Sequence, residues 1–240
     1  MNNPAKKKSS GSANKGWIVG AIIAIIVGAA AVVAITTSGS DSTSSDGLIE
    51  MGDISVKGDV LPGYNESEPN DPAIGMTAPV LTGKGFTGNT ITTESTGTPM
   101  MLVFLAHWCP HCQREVPLLV EWNKAGKVPS GIDIIAVATG TDPANPNYPP
   151  SEWLAREEFP ALWPVIADSK DKTAGDAFGL GGYPYFVLID GSGKVVKRMS
   201  GEIPMDELTV LLTALLPAYL PIWRPRLKVG IILIIARVAI

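Results

Sequence analysis

Two cysteines, and only two, occur in the 240 residues, three positions apart as Cys109-Pro110-His111-Cys112. A structural disulfide framework in a small secreted domain carries more cysteines at wider spacing. A bridge closing so short a loop also removes little entropy from the unfolded chain. The pair therefore reads as a reactive site. Thiols at i and i+3 at the start of a helix close a disulfide with little backbone movement, and the first sulfur faces the unpaired N–H groups and the positive dipole end of that helix. A thiolate is favoured there, and only the thiolate attacks a disulfide. Cys109 is thus the attacking and leaving sulfur, and Cys112, one turn deeper, the resolving thiol. Pro110 and His111 tune the balance between oxidised and reduced forms, because an imidazole can carry positive charge beside the sulfur. Stabilising the thiolate stabilises the reduced protein and makes the centre a stronger oxidant. The motif leans toward donating disulfides.

The flanking segments supply elements to position this pair. Residues 100–106 form a continuous apolar run typical of a strand covered on both faces, and it leads straight into the cysteines. Residues 113–124 carry a helical stripe at Val116, Leu119, Val120 and Trp122, and residues 132–138 read as a second buried strand. Strand, helix, strand is the unit of a parallel sheet. Before them, residues 80–95 suit a hairpin or irregular strand pair. After them come a Pro-rich loop, a helix over 151–159, a short strand over 163–167 and a helix over 173–178. A strand over 185–189 then turns through Asp190-Gly191-Ser192-Gly193 into 194–198. A last helix, 205–216, is ended by Pro217.

The ends differ from the middle. Residues 1–35 hold four Lys and no acid, residues 217–240 three Arg, one Lys and no acid, so the overall charge of -4 conceals about -12 between them. An acidic folded part argues against nucleic-acid binding. After a short basic tail, 1–16, the uncharged segment 17–35 is close to the length of a membrane-crossing helix. Its flanking Lys residues favour a cytoplasmic N-terminus and place the chain beyond residue 35 outside. A cleaved signal peptide is the competing reading, and either one exports the domain. Residues 36–75, rich in Ser, Gly, Asp, Glu and Pro, read as a flexible linker, and the folded domain is expected over 76–216. In the basic, apolar tail 217–240, residues 229–236 are apolar enough for a membrane but too short to span one before Arg237 interrupts them; the tail suits a membrane interface, an extra docked helix or a non-native C-terminus.

Residues 102–117 (Leu-Val-Phe-Leu-Ala-His-Trp-Cys-Pro-His-Cys-Gln-Arg-Glu-Val-Pro) resemble the active-site strand and helix of thioredoxin-like proteins, especially the membrane-anchored TlpA/ResA type. The family's Trp before the first cysteine is matched by Trp108, and its helix-bending proline by Pro117. Residues 182–190 look like its cis-proline loop and the strand after it, which implies a cis Tyr183–Pro184 bond packed against the disulfide where substrate binds. The long separation of Cys112 from Pro184 fits an extra helix and strand. The resemblance implies an α/β thioredoxin-like fold, a central mixed sheet flanked by helices, with a TlpA-type helix-strand insertion and one N-terminal transmembrane helix.

Two departures matter. Thioredoxins place an acidic residue six positions before the first cysteine, where this chain has Val103, so a proton relay must use Glu115, His107 or water. The Pro-His pair is more usual in DsbA-like oxidants than in TlpA/ResA reductants. The resemblance therefore leaves two directions open: donation of disulfides to exported proteins, or reduction of the haem-attachment cysteines of cytochrome c precursors. The chain carries no dinucleotide-binding loop, so no cofactor beyond the redox-active disulfide is expected. Electrons then pass between exported thiol proteins and a membrane redox partner that regenerates the centre. A reading of another class makes His107, Cys109, His111 and Cys112 ligands of a soft ion such as Cu(I), as in a copper metallochaperone.

Overall fold

The computed structural model describes residues 42–43 and 47–216; the apolar segment 17–35 and the tail 217–240 lie outside them. Among the described residues no helix is long and apolar enough to cross a membrane. In chain order the strands are β1 (Ser42–Thr43), β2 (Ile49–Met51), β3 (Ser55–Lys57), β4 (Val80–Lys84), β5 (Thr90–Thr92), β6 (Met100–Leu105), β7 (Asp133–Ala138), β8 (Val165–Ala167), β9 (Tyr185–Ile189) and β10 (Val195–Ser200). The helices are α1 (Pro110–Lys124), α2 (Pro150–Arg156), α3 (Thr173–Ala177) and α4 (Met205–Leu215).

The strand that delivers the cysteines is the middle of a five-stranded mixed sheet ordered β10-β9-β6-β7-β8. β6 runs parallel to β7 and antiparallel to β9, so both of its edges are hydrogen-bonded. Side chains alternate across a strand. Met101, Val103 and Leu105 therefore face one layer with Val116 and Leu119 of α1 and Leu208 and Leu212 of α4. Met100, Leu102 and Phe104 face the other, with Leu61, Leu81, Phe178 and Tyr185. Coverage on both sides explains the unbroken apolar run. α2 and β8, between β7 and the cis-proline loop, are the additional helix and strand, and β8 closes the sheet edge beside β7. The arrangement is a thioredoxin-like α/β fold.

The expected linker is corrected over residues 47–75, which are built into the domain. The Ile49 amide donates to the Phe86 carbonyl at 2.8 Å, β3 pairs with β4, and the Leu61 and Tyr64 amides donate to the carbonyls of Ala177 and Gly179. Buried polar anchors hold the rest. Arg198 of β10 donates through Nε to Asp71 at 2.8 Å and through Nη1 to the carbonyls of Pro62 and Phe178, and its guanidinium lies 5.4 Å from the Tyr64 ring. Glu50 is fully buried and accepts the Ser151 amide at 3.1 Å and its hydroxyl at 2.5 Å, satisfying donors at the start of α2. A segment poor in large apolar residues is ordered here by strand pairing and a few ionic anchors rather than by a core of its own.

Candidate active site

β6 ends at Leu105, and a short turn later Cys109 is the N-cap of α1, with extended backbone (φ -75, ψ 122) and Pro110 in the first turn. Proline suits that place because its missing N–H is one the helix would leave unpaired anyway. The two sulfurs are both free thiols and differ in environment. Cys109 keeps 6% of its surface exposed and donates to the Tyr183 carbonyl at 3.7 Å, whereas Cys112 has none exposed and accepts the Ala106 amide at 3.5 Å. Burial pushes the Cys112 thiol well above its usual range, a tendency the Ala106 N–H opposes and the charge of Cys109 reinforces. The deeper sulfur therefore stays protonated until a base removes its proton.

The Tyr183–Pro184 bond is cis, and so is Tyr148–Pro149 in the loop after β7. Trp108 donates its indole N–H to the Gly140 carbonyl at 2.8 Å and packs edge-on against Tyr183, ring centres 5.6 Å apart. Gly140 has φ +62, and a Cβ there would stand 2.8 Å from the Tyr183 hydroxyl. Only glycine fits both demands. Burial pushes the Tyr183 phenol up to about 12, which keeps it neutral. Outside this wall lies a cleft of about 570 Å³ lined by Met51, Trp108, Lys170, Lys172 and Tyr183 among others.

Of the two relay candidates, one lies on the helix that carries the dithiol. Glu115, one turn beyond Cys112 on α1, is fully buried; Oε1 accepts the Ile203 amide at 3.2 Å, while Oε2 has no partner among the described residues. Burial pushes its carboxyl up to about 7, and its charge is one of those acting on Cys112. Val103, at the place where the family carries an acid, packs in the same buried layer as both cysteines. His107 is corrected as a relay. Nδ1 lies 2.6 Å from the Pro146 carbonyl and Nε2 accepts the Asp142 amide at 3.2 Å, which together require a neutral ring with the proton on Nδ1. Burial lowers its pKa, consistent with that state. With both nitrogens engaged the ring holds the loop after β7 and has none left for proton transfer.

His111, two residues after Cys109 in the first turn of α1, stands exposed at the surface, but not alone. Its Nδ1 is 2.8 Å from Glu202 Oε1 and 2.8 Å from Arg114 Nη2, and Arg114 also donates to Glu202 Oε1 through Nε at 2.9 Å and Nη2 at 2.5 Å. Sequence reasoning missed both partners. Arg114 could have been found, since it follows His111 by one helical turn. Glu202 could not, because an acid just after a strand near the end of a domain carries no local signal. Among the described residues no three His, Cys, Asp or Glu side chains are grouped to hold a metal ion, and the set weighed for copper is not assembled, His107 being turned to Pro146 and Asp142.

A helix-capping dithiol beneath a cis-proline on a thioredoxin-like sheet defines a thiol:disulfide oxidoreductase. Residues 73–215 match the Redoxin family, and the chain belongs to it. Thiol-disulfide oxidoreductase ResA of Geobacillus thermodenitrificans is 30% identical over 152 residues, covering 63% of this chain and 83% of that protein. ResA of Bacillus anthracis is 32% identical over 122 residues, 50% of this chain and 65% of that protein. Among solved structures, MTB dsbF in its mixed oxidized and reduced forms is 28% identical with a TM-score of 0.47, covering 56% of this chain and 94% of that one.

Proposed function

We propose that the protein reduces disulfides of exported proteins on the extracytoplasmic side of a membrane, anchored through residues 17–35. The observation that carries this reading is the asymmetry of the dithiol: one sulfur at a helix N-terminus that keeps 6% of its residue's surface exposed, the other wholly buried on the same helix as a buried carboxyl pushed up to about 7. The Cys109 thiolate attacks one sulfur of a substrate disulfide lying along the Tyr183–Pro184 edge and the adjoining cleft. That S–S bond breaks, a substrate thiolate leaves, and a mixed disulfide links Cys109 to the substrate. Cys112 then gives its proton to Glu115 and attacks the Cys109 sulfur; the second bond breaks, the substrate departs with two electrons gained, and a Cys109–Cys112 disulfide remains for a membrane redox partner to reduce. Tyr183 and Pro184 bind the substrate strand, Trp108 supports them, and Pro110 and His111 tune the potential. The resemblance to the TlpA/ResA type favours the reducing direction and the haem-attachment cysteines of cytochrome c precursors as substrate. A second reading, disulfide donation, is favoured by His111 between the cysteines.

Trapping tests the assignment of roles. A Cys112→Ser variant of the full chain should accumulate a mixed disulfide through Cys109 with an exported cysteine protein, visible as a reducible mass increase. Accumulation in Cys109→Ser instead, or in neither variant, overturns it.

A further inference from the structure

We propose that Glu202 is a positioning residue that holds the reduction potential of the centre down, by cancelling the positive charge that His111 and Arg114 present to Cys109. The inference rests on the reading of Cys109 as the attacking thiol and deepens it by addressing the direction of electron flow.

One carboxylate oxygen, Glu202 Oε1, lies within 2.9 Å of three nitrogens, two of Arg114 and one of His111. His111 Nδ1 is thereby caught between a guanidinium, which can only donate, and a carboxylate, which can only accept. A bare Nδ1 suits Arg114 and an Nδ1 that carries a proton suits Glu202. In either case a full negative charge stands against the cations at the start of α1. Glu202 is held below the usual carboxylate range, chiefly by its hydrogen bond to Arg114 and then by that to His111. It is therefore ionised wherever exchange is measured.

Its location is set by the active centre itself. The loop from β10 to α4 is tied down on either side of Glu202: the Gly201 amide donates to the carbonyl of the cis-proline, Pro184, at 2.9 Å, and the Ile203 amide donates to Glu115 Oε1 at 3.2 Å. Glu202 lies between these two bonds, so the backbone that touches the substrate edge and the buried relay also aims this side chain at His111. Its charge reaches inward as well, adding to the burial that raises Glu115. Arg114, in turn, is held protonated first by Glu202 and last by the charge of Cys109, so cation and sulfur are within electrostatic reach.

Thiol exchange with glutathione makes the effect measurable: reduced protein plus glutathione disulfide gives oxidised protein plus two glutathione thiols. Positive charge near a sulfur at a helix N-terminus favours the thiolate and with it the reduced form, which makes an oxidant. Glu202 removes one unit of that positive charge. A motif that by itself leans toward donating disulfides is thereby brought back toward reduction.

The test is the equilibrium constant of full-length protein against glutathione buffers, read by alkylation of free thiols and mass. Glu202→Gln should favour the reduced form roughly tenfold, the order expected for a unit charge acting from a solvent-screened surface cluster, equivalent to about 30 mV more positive. Arg114→Gln should move it by a similar factor the other way. An unchanged or lower potential in Glu202→Gln overturns the proposal. If that variant does not fold, an unchanged or higher potential in Arg114→Gln does so. The comparison is between variants, so a wild-type potential at odds with the reducing direction would count against that reading and leave this one to its own result.

Discussion

Replacing Glu115 by Gln should stabilise the protein at alkaline pH while slowing its chemistry. The carboxyl is fully buried, with only the Ile203 amide on Oε1 and no partner for Oε2 among the described residues. Burial moves its ionisation from 4.5 in the unfolded chain to about 7. A raised pKa means that the folded state holds the proton more tightly than the unfolded one, so this contribution is fully present below about pH 4.5 and is lost as pH rises through about 7. The ceiling on that loss at pH 8 is about 3 kcal/mol, and relaxation and solvent screening leave about 1–2 kcal/mol. Gln keeps the shape, accepts the Ile203 amide and never ionises. Urea unfolding of the reduced proteins should therefore show Glu115→Gln more stable than wild type by about 1–2 kcal/mol at pH 8 and close to it near pH 4.5. Cys112 loses its base in the same variant, so decay of a Cys109 mixed disulfide at neutral pH should slow by about 100-fold. A stability difference that is the same at both pH values would refute the buried-charge argument; unchanged decay would refute the relay.

Asp71→Ala leaves the buried Arg198 cation without its carboxylate, and a cost of about 3 kcal/mol should appear as a lower urea midpoint together with proteolytic access to residues 59–75. His107→Phe removes the partner of the Asp142 amide and the Pro146 carbonyl, so about 1–3 kcal/mol of stability should be lost, while the resolution rate of the folded fraction stays within a few-fold of wild type. A loss of resolution as large as that of Glu115→Gln would restore His107 as a relay.

Much of the sheet was legible because its strands announce themselves. Tyr185–Ile189 and Met100–Leu105 are runs of branched, aromatic and other apolar residues, which the core on both faces demands. The cysteines, the cis bond before Pro184 and the helix through Lys124 followed from spacing and from the family pattern. What escaped lay in long-range pairing of polar groups. Residues 47–75 look like a tether because order there comes from Glu50 meeting Ser151, Asp71 meeting Arg198 and backbone edges meeting β4, partners many residues away. Glu202 escaped for the same reason, being 91 positions from the histidine it touches. His107 misled in the opposite sense: its nearness to Cys109 in sequence suggested proton transfer, while the fold engages both of its nitrogens in holding a loop.

The most direct test of the account is the reduction potential of the Cys109–Cys112 pair in the unmodified full-length protein, equilibrated with glutathione. A reductant of exported proteins should lie near or below the value of about -270 mV typical of thioredoxin. A value near about -120 mV, that of a strong disulfide donor, would contradict the reducing direction and return His111 to the leading role.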